Sequence, residues 1–290
     1  MRLRDKVERG IFTRLIEVFP PNFSVEAARE PLIGIKQKMR DMVTRVQKIE
    51  GLADAIIVAD MKDTARLQLG SVYTAAVLKE ELGAEVIPVI PTRDMNKKAI
   101  RTMFLTCLSL GLESVSLVWG DPYAEGDGSK NVYDFRSLAD AVAEARGLAD
   151  RADVQATLMA PVDITALASA RGVKLATSRL SSGADCLLAQ PPTSDISRTL
   201  ARHTALLKKH RLESKVLHNI FPFRNKADID ACRVRFGWDL PKELDDIAQA
   251  GEPSLLREAR GVVEALEAQK SAGVYVSTRG KPELARYILD

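Results

Sequence analysis

The most constraining feature of this chain is a repeated alternation: a short run rich in β-branched and apolar residues, then a longer run with helical periodicity. The strand candidates are Thr13–Phe19, Ala55–Ala59, Glu85–Ile90, Ser114–Trp119, Val154–Met159, Asp185–Ala189, Lys215–Ile220 and Val274–Ser277. Helical stretches fall at about Val25–Ile49, Thr64–Leu82, Asn96–Leu110, Phe135–Ala149, Ile164–Arg171, Ile196–Lys209, Ala227–Phe236 and Ser254–Lys270, with Pro282–Leu289 at the end. Strand–helix alternation of this kind builds a parallel sheet covered by helices. It closes into a barrel or stays open and doubly wound. Eight units, and no GxGxxG after the first strand, predict an α/β (β/α)₈ TIM barrel formed as a single domain over residues 1–290.

Composition narrows the function classes. The net charge of +3 is small and evenly spread, which argues against nucleic acid as a partner. No apolar run is long enough to span a membrane. Residues Met1 to Gly10 are charged and do not read as a signal peptide. The expected setting is therefore cytoplasmic. Cys107, Cys186 and Cys232 form no CxxC pair, and Cys107 and Cys186 read as small core residues. His203, His210 and His218 are too scattered for a metal site, and the Lys/Arg-rich stretch carrying the first two reads as a solvated face. No metal is expected. No GxSxG, Walker A or HExxH pattern occurs.

In a barrel of this type, chemistry gathers where strands run into their following loops. The polar residues at those positions are Glu17, Asp60, Thr92, Arg93, Asp94, Asp121, Gln190, Asn219, Thr278 and Arg279. Glu17 is the most informative, because it stands between Ile16 and Val18 in an otherwise apolar strand. A buried carboxyl there is either a general acid with a raised pKa or a structural group paired with an arginine. Asp121, in a Gly-Asp-Pro turn, has an equally ordinary reading as a strand terminator. So do Gln190 as a turn residue, Arg93 and Asp94 as caps of the next helix, and Asp60 as a loop charge.

Six segments then resemble the methylenetetrahydrofolate reductase family, in family order. LIEVFPP (Leu15–Pro21) is similar to FEFFPP, IPVIPTRDMN (Ile87–Asn96) to IPHLTCRDRN, and WGDP (Trp119–Pro122) to RGDPP. GADCLLAQP (Gly183–Pro191) is similar to GADFxxTQ, NIFPF (Asn219–Phe223) to GIMPI, and VYVSTR (Val274–Arg279) to FYTLNR. The resemblance implies an oxidoreductase that interconverts 5,10-methylenetetrahydrofolate and 5-methyltetrahydrofolate. It implies Glu17 and Asp121 as catalytic residues, and Gln190, Asp121, Phe223, Tyr275 and Arg279 as contacts to the tetrahydrofolate-type substrate. It also implies FAD, recharged by NADH or NADPH, with Asp60, Thr92, Arg93, Asp94, Trp119 and Arg179 on the cofactor side.

The departures fall on that cofactor side. The family's VTYGAGG is VADMKDT here (Val58–Thr64), with every glycine lost. Val89 stands where the family has a flavin-contacting His, and Trp119 replaces the Arg of RGD. The family's tyrosine-proline-glutamate run after strand 5 is replaced by MAPVD (Met159–Asp163). Arg179 preserves the charge of a flavin-phosphate lysine. Hydride therefore comes from flavin or directly from NAD(P)H. Two other readings remain: a folate-binding methyl-transfer subunit serving a corrinoid partner, and a non-catalytic partner subunit of a reductase complex. A homo-oligomer is possible in each.

Overall fold

The computed structural model describes residues 1–24, 32–60, 66–123, 129–278 and 280–290. Eight strands close into one barrel, labelled here β1 (Thr13–Val18), β2 (Ala55–Val58), β3 (Val86–Pro91), β4 (Ser114–Val118), β5 (Thr157–Asp163), β6 (Cys186–Gln190), β7 (Val216–Ile220) and β8 (Gly273–Ser277). They follow in sequence order around the barrel and β8 returns to β1, every pairing parallel. The seam needs a close approach: Gly273 has φ +148°, and a Cβ there would lie 2.1 Å from the Thr13 carbonyl oxygen. Only glycine fits that position.

Strand alternation sorts the side chains into two layers. Leu15, Ile57, Val89, Met159, Leu188, Leu217 and Tyr275 fill the barrel interior. Ile16, Val18, Ile56, Ile90, Leu117 and Leu158 face outward and pack under the helices. By the same parity Glu17, two residues from Leu15, points inward.

A helix at Leu3–Arg9 plugs the opposite end. Leu3 and Val7, one turn apart, join the interior cluster, and the Leu3 amide donates to Glu85 Oε2 at 3.1 Å. Burying two such side chains stabilises by about 1.5–3 kcal/mol each. The chain reads as charged there because only the inward stripe of the helix is apolar.

The fifth strand is displaced from its expected range. It runs Thr157–Asp163 rather than Val154–Met159, because the Val154 amide still donates to the Ala149 carbonyl and closes the preceding helix. The helix expected near Ile164–Arg171 is a short 3₁₀ turn, Thr165–Ala168, followed by an α-helix at Ala170–Ser181 capped by Ser169. Two small sheets sit above the strand ends. One pairs Asn22–Ser24 with Arg66–Gln68, the other Asp94–Met95 with Val132–Tyr133. The long helix expected over Val25–Ile49 is described as Leu32–Gln47.

His203 corrects another expectation. It is 2% exposed, on the same face of the helix Ala201–His210 as Leu207. Its Nδ1 and that of His218 both lie 2.9 Å from the Thr193 hydroxyl. Burial pulls both imidazoles down, to about 4 for His203 and about 3 for His218, so both are neutral. Burial pushes the Cys107 and Cys186 thiols up to about 12, in keeping with inert core residues. Among the described residues no cluster could hold a metal ion, and no helix is long and apolar enough to cross a membrane.

Candidate active site at the barrel mouth

The register places Glu17 beside Ser277 on one side and Ile57 on the other. The Ser277 hydroxyl donates to Glu17 Oε2 at 2.6 Å. Thr278 Oγ1 donates to the Glu17 carbonyl at 2.7 Å and fixes the strand end. No arginine or lysine pairs with the carboxyl among the described residues. Burial pushes its pKa up, and the Ser277 bond only partly offsets that. Of the two readings of a carboxyl here, the structure therefore favours the raised acid over the ion-paired strut. Glu17 is half-buried: enclosed enough to be desolvated, open enough to be reached from the mouth.

Around it lies a polar patch on the inner faces of β6, β7 and β8. Tyr275 is opposite Asn219 in the register, and its hydroxyl donates to the Ala189 carbonyl at 2.6 Å. The amides of Gln190 and Asn219 reach the same phenol, whose ionisation is pushed upward by burial and by Glu17. Asn219 is 1% exposed, yet its Oδ1 has no hydrogen-bond partner. A buried polar atom left unpaired is expensive, and such atoms concentrate where a ligand completes them. Gln190 is exposed at the end of β6.

The rim above β2, β3 and β4 is built differently. Arg93 is 2% exposed and forks onto Asp94, with Nε to Oδ1 at 2.8 Å and Nη2 to Oδ2 at 2.5 Å. Its Nη1 donates to the Asp121 carbonyl at 3.1 Å, Asp60 lies 3.7 Å away, and its guanidinium sits 4.4 Å above the Tyr123 ring. Gly120 makes this possible: φ is +81°, and a Cβ there would meet Arg93 Cβ at 2.8 Å. Thr92 Oγ1 donates to the Trp119 carbonyl. Trp119 stacks on Tyr133 at 4.7 Å with planes 5° apart, and the Tyr133 hydroxyl donates to the Gly120 carbonyl. Burial raises Asp94, but hydrogen bonds from Arg93 and Tyr123 bring it below its usual value. Burial pushes Asp60 up to about 6 despite Arg93, while Gln68 donates to its Oδ2 at 3.0 Å.

The expected cofactor contacts Thr92, Arg93, Asp94 and Trp119 are thus engaged with one another and with Tyr133 and the Asp121 backbone. Arg93 is enclosed and its guanidinium is spent on Asp94 and the Asp121 carbonyl, so it does not offer a free charge to a flavin. Asp121 is exposed at the edge of this cluster.

The remaining expected contacts separate. Phe223 is 3% exposed and packs with Phe221 at 4.9 Å in a satellite core just beyond the end of β7. Arg179 lies in a cleft of about 400 Å³ that also includes Gln190, so an expected cofactor contact and an expected substrate contact share one cavity. Arg279 lies outside the described residues. Ser277, Tyr133 and Trp238 carry no signal of their own in the sequence. Each matters through a partner on another strand or loop, which only the closed register supplies.

The model of the methylenetetrahydrofolate reductase family matches residues 2–271. No curated protein sequence matches the chain. Among solved structures, a Clostridium thermocellum protein that binds two copies of 5-methyl-5,6,7,8-tetrahydrofolic acid is similar, with a TM-score of 0.66 at 11% identity over 98% of this chain and 97% of that one. An oxaloacetate acetylhydrolase bound to oxalate has a TM-score of 0.56 at 12% identity, over 96% of this chain and 79% of that one. A 2,3-dimethylmalate lyase of the PEP mutase/isocitrate lyase superfamily has a TM-score of 0.55 at 10% identity, over 98% and 80%. At these identities the structural likeness speaks for the barrel fold.

Proposed function

Since the chain belongs to the methylenetetrahydrofolate reductase family, we propose that its barrel mouth binds a reduced folate and interconverts the 5,10-methylene and 5-methyl forms, with Glu17 as the general acid. The observation that carries this reading is the Glu17 carboxyl, held inside the barrel by Ser277, unpaired with any cation among the described residues, and raised by burial. Opening the methylene bridge to an iminium requires a proton delivered to the departing nitrogen. A carboxyl whose pKa is raised by burial keeps its proton to higher pH and can deliver it. The unsatisfied Asn219 Oδ1 and the exposed Gln190 amide supply acceptors and donors for a pterin edge beside it. The carbon then accepts a hydride, which no side chain can give and which NADH or NADPH supplies. No step is routed through flavin, since Arg93 at the β2–β4 rim is spent on Asp94 and the Asp121 carbonyl.

The direct experiment measures turnover of 5,10-methylenetetrahydrofolate with NADH or NADPH by the wild type and Glu17→Gln. Losing the acid should cut the rate by about 10²–10⁴-fold with the circular dichroism spectrum unchanged. A variant as active as the wild type would remove Glu17 from the mechanism.

One observation also favours a second reading. A β2–β4 rim whose described polar groups answer one another suits a methyl-transfer subunit, in which the same pocket presents 5-methyltetrahydrofolate to a corrinoid partner and no redox step occurs. Methylation of added cobalamin(I) from 5-methyltetrahydrofolate, without nicotinamide turnover, would select it.

A further inference from the structure

Behind the mouth, where β6 and β7 meet the helix Ala201–His210, three polar side chains are buried together. Thr193, His203 and His218 are 1%, 2% and 1% exposed. They come from the turn after β6, from the helix, and from the outer face of β7, where His218 stands between the inward residues Leu217 and Asn219. The other outward positions of that strand, Val216 and Ile220, are apolar and pack in the core. Packing alone needs no imidazole there, and burying one costs free energy unless it is bonded.

The Thr193 hydroxyl decides how the two rings are used. Both Nδ1 atoms lie 2.9 Å from its oxygen, and the ring centroids are 6.5 Å apart with planes 30° from parallel. A hydroxyl has one proton to give. It donates to one Nδ1, so the other Nδ1 carries a proton and donates back. The two histidines are therefore held as opposite neutral tautomers, one protonated at Nδ1 and the other at Nε2. Donor and acceptor alternate through the contact, and such an arrangement has one geometry.

Through its backbone the same threonine reaches the mouth. The Thr193 amide donates to the Asn219 carbonyl at 2.9 Å, and the Gln190 carbonyl accepts from the Ile164 amide at 2.8 Å. Further on, the Asp195 carboxylate accepts from the amides of Arg198 and Thr199, and Thr199 Oγ1 accepts from the amides of Ser194 and Asp195. The turn from Gln190 to Asp195 is thus fastened to the end of β5, to β7 and to the helix that follows. It begins with Gln190 and grips the backbone of Asn219, the two residues whose amides reach the Tyr275 phenol.

We propose that Thr193 is a positioning residue for ligand recognition: its hydroxyl, clamped between His203 and His218, sets the turn against β7, so that the Gln190 and Asn219 side chains meet a pterin edge at one fixed separation. The identity of the ligand rests on the folate reading above, and the geometry rests on the clamp.

The test joins a measurement on the free protein to one on its complexes. NMR of nitrogen-labelled imidazoles in the full chain near pH 7 should show His203 and His218 neutral, one with its proton on Nδ1 and the other on Nε2. The same tautomer at both, or a charged ring, overturns the proposal without recourse to a variant. Thr193→Val removes the hydroxyl and keeps the branched shape, whereas Thr193→Ser keeps the hydroxyl. Thr193→Val should speed hydrogen exchange of the Thr193–Asp195 stretch and weaken binding of 6-methyltetrahydropterin by about 10-fold. Thr193→Ser should return both close to wild type. Leu207→Ala, on the same helix face as His203, should lower the melting temperature and leave that affinity unchanged. Equal affinity in wild type and Thr193→Val overturns the proposal, as does a serine variant that restores nothing or an equal loss of affinity in Leu207→Ala. Failure of the folate reading looks different. A wild type that binds no pterin, yet shows opposed tautomers and a turn loosened by Thr193→Val alone, removes that reading and leaves the clamp standing.

Discussion

The two halves of the barrel mouth treat polar groups in opposite ways. On the β2–β4 side, Arg93, Asp94, Asp60, Thr92, Trp119 and Tyr133 form a closed set in which each group answers another. On the β1 and β6–β8 side, Glu17 has a hydroxyl but no counter-ion, and Asn219 Oδ1 has no partner. Arg179, reached from Gln190 through the shared cleft, has a carbonyl but no acid. A self-satisfied network is architecture, and an incomplete one waits for a ligand. The contrast teaches that one mouth can divide its polar groups between holding a loop, as Arg93 does with Asp94 and the Asp121 carbonyl, and standing open to a ligand.

The contrast can be broken most forcefully at Arg93. Arg93→Ala would leave Asp94 and Asp60 without their cation and free the Asp121 loop, so stability should fall by about 3–5 kcal/mol, read in urea denaturation. If Arg93 served a ligand instead, the same change would reduce binding and leave the denaturation midpoint in place.

Asp60 gives a smaller effect with a definite sign. Its pKa is about 6 in the fold against an ordinary 3.8. The folded state therefore holds the proton more tightly, and the stability associated with it is present below pH 4 and lost as pH rises through about 6. Asp60→Asn should be stabilising by up to about 3 kcal/mol at pH 7.5 and near neutral at pH 4, seen as a pH-dependent shift in melting temperature. Glu17→Gln should follow the same sign, since Glu17 is also raised by burial. The inactive variant is thus expected to be no less stable than the wild type at neutral pH.

Asn219 is the gentlest probe. Asn219→Ala removes an acceptor that has no partner together with the amide contact to the Tyr275 phenol, so the stability change should be about 1 kcal/mol, while affinity for 5-methyltetrahydrofolate drops several-fold. A large loss of stability with unchanged affinity would move Asn219 to the structural half of the comparison.

Much of this architecture was legible from residues alone. All eight strands stand where apolar runs meet turn residues, and only the fifth is displaced, because Val154 closes a helix instead of opening a strand. Glu17 was legible because a carboxylate inside an apolar strand demands an explanation. Its lack of a counter-ion was not, since partnership depends on which residues of β8 and β2 the barrel brings beside β1. For the same reason the closed set around Arg93 was hidden. It joins residues 60, 93, 119 and 133, far apart in the chain, through a bend that only Gly120 permits. The plug helix Leu3–Arg9 was obscured by its own charge density, and the burial of His203 by the lysines and arginines on the opposite face of its helix.

The most direct test of the central claim is to supply 5,10-methylenetetrahydrofolate with NADH deuterated at C4 and to weigh the product, for wild type and Glu17→Gln in parallel. The account predicts a single deuterium in the 5-methyl group of the wild-type product. It predicts no product above the uncatalysed background from the variant, which still binds 5-methyltetrahydrofolate. Labelled product in equal amounts from both proteins would contradict it.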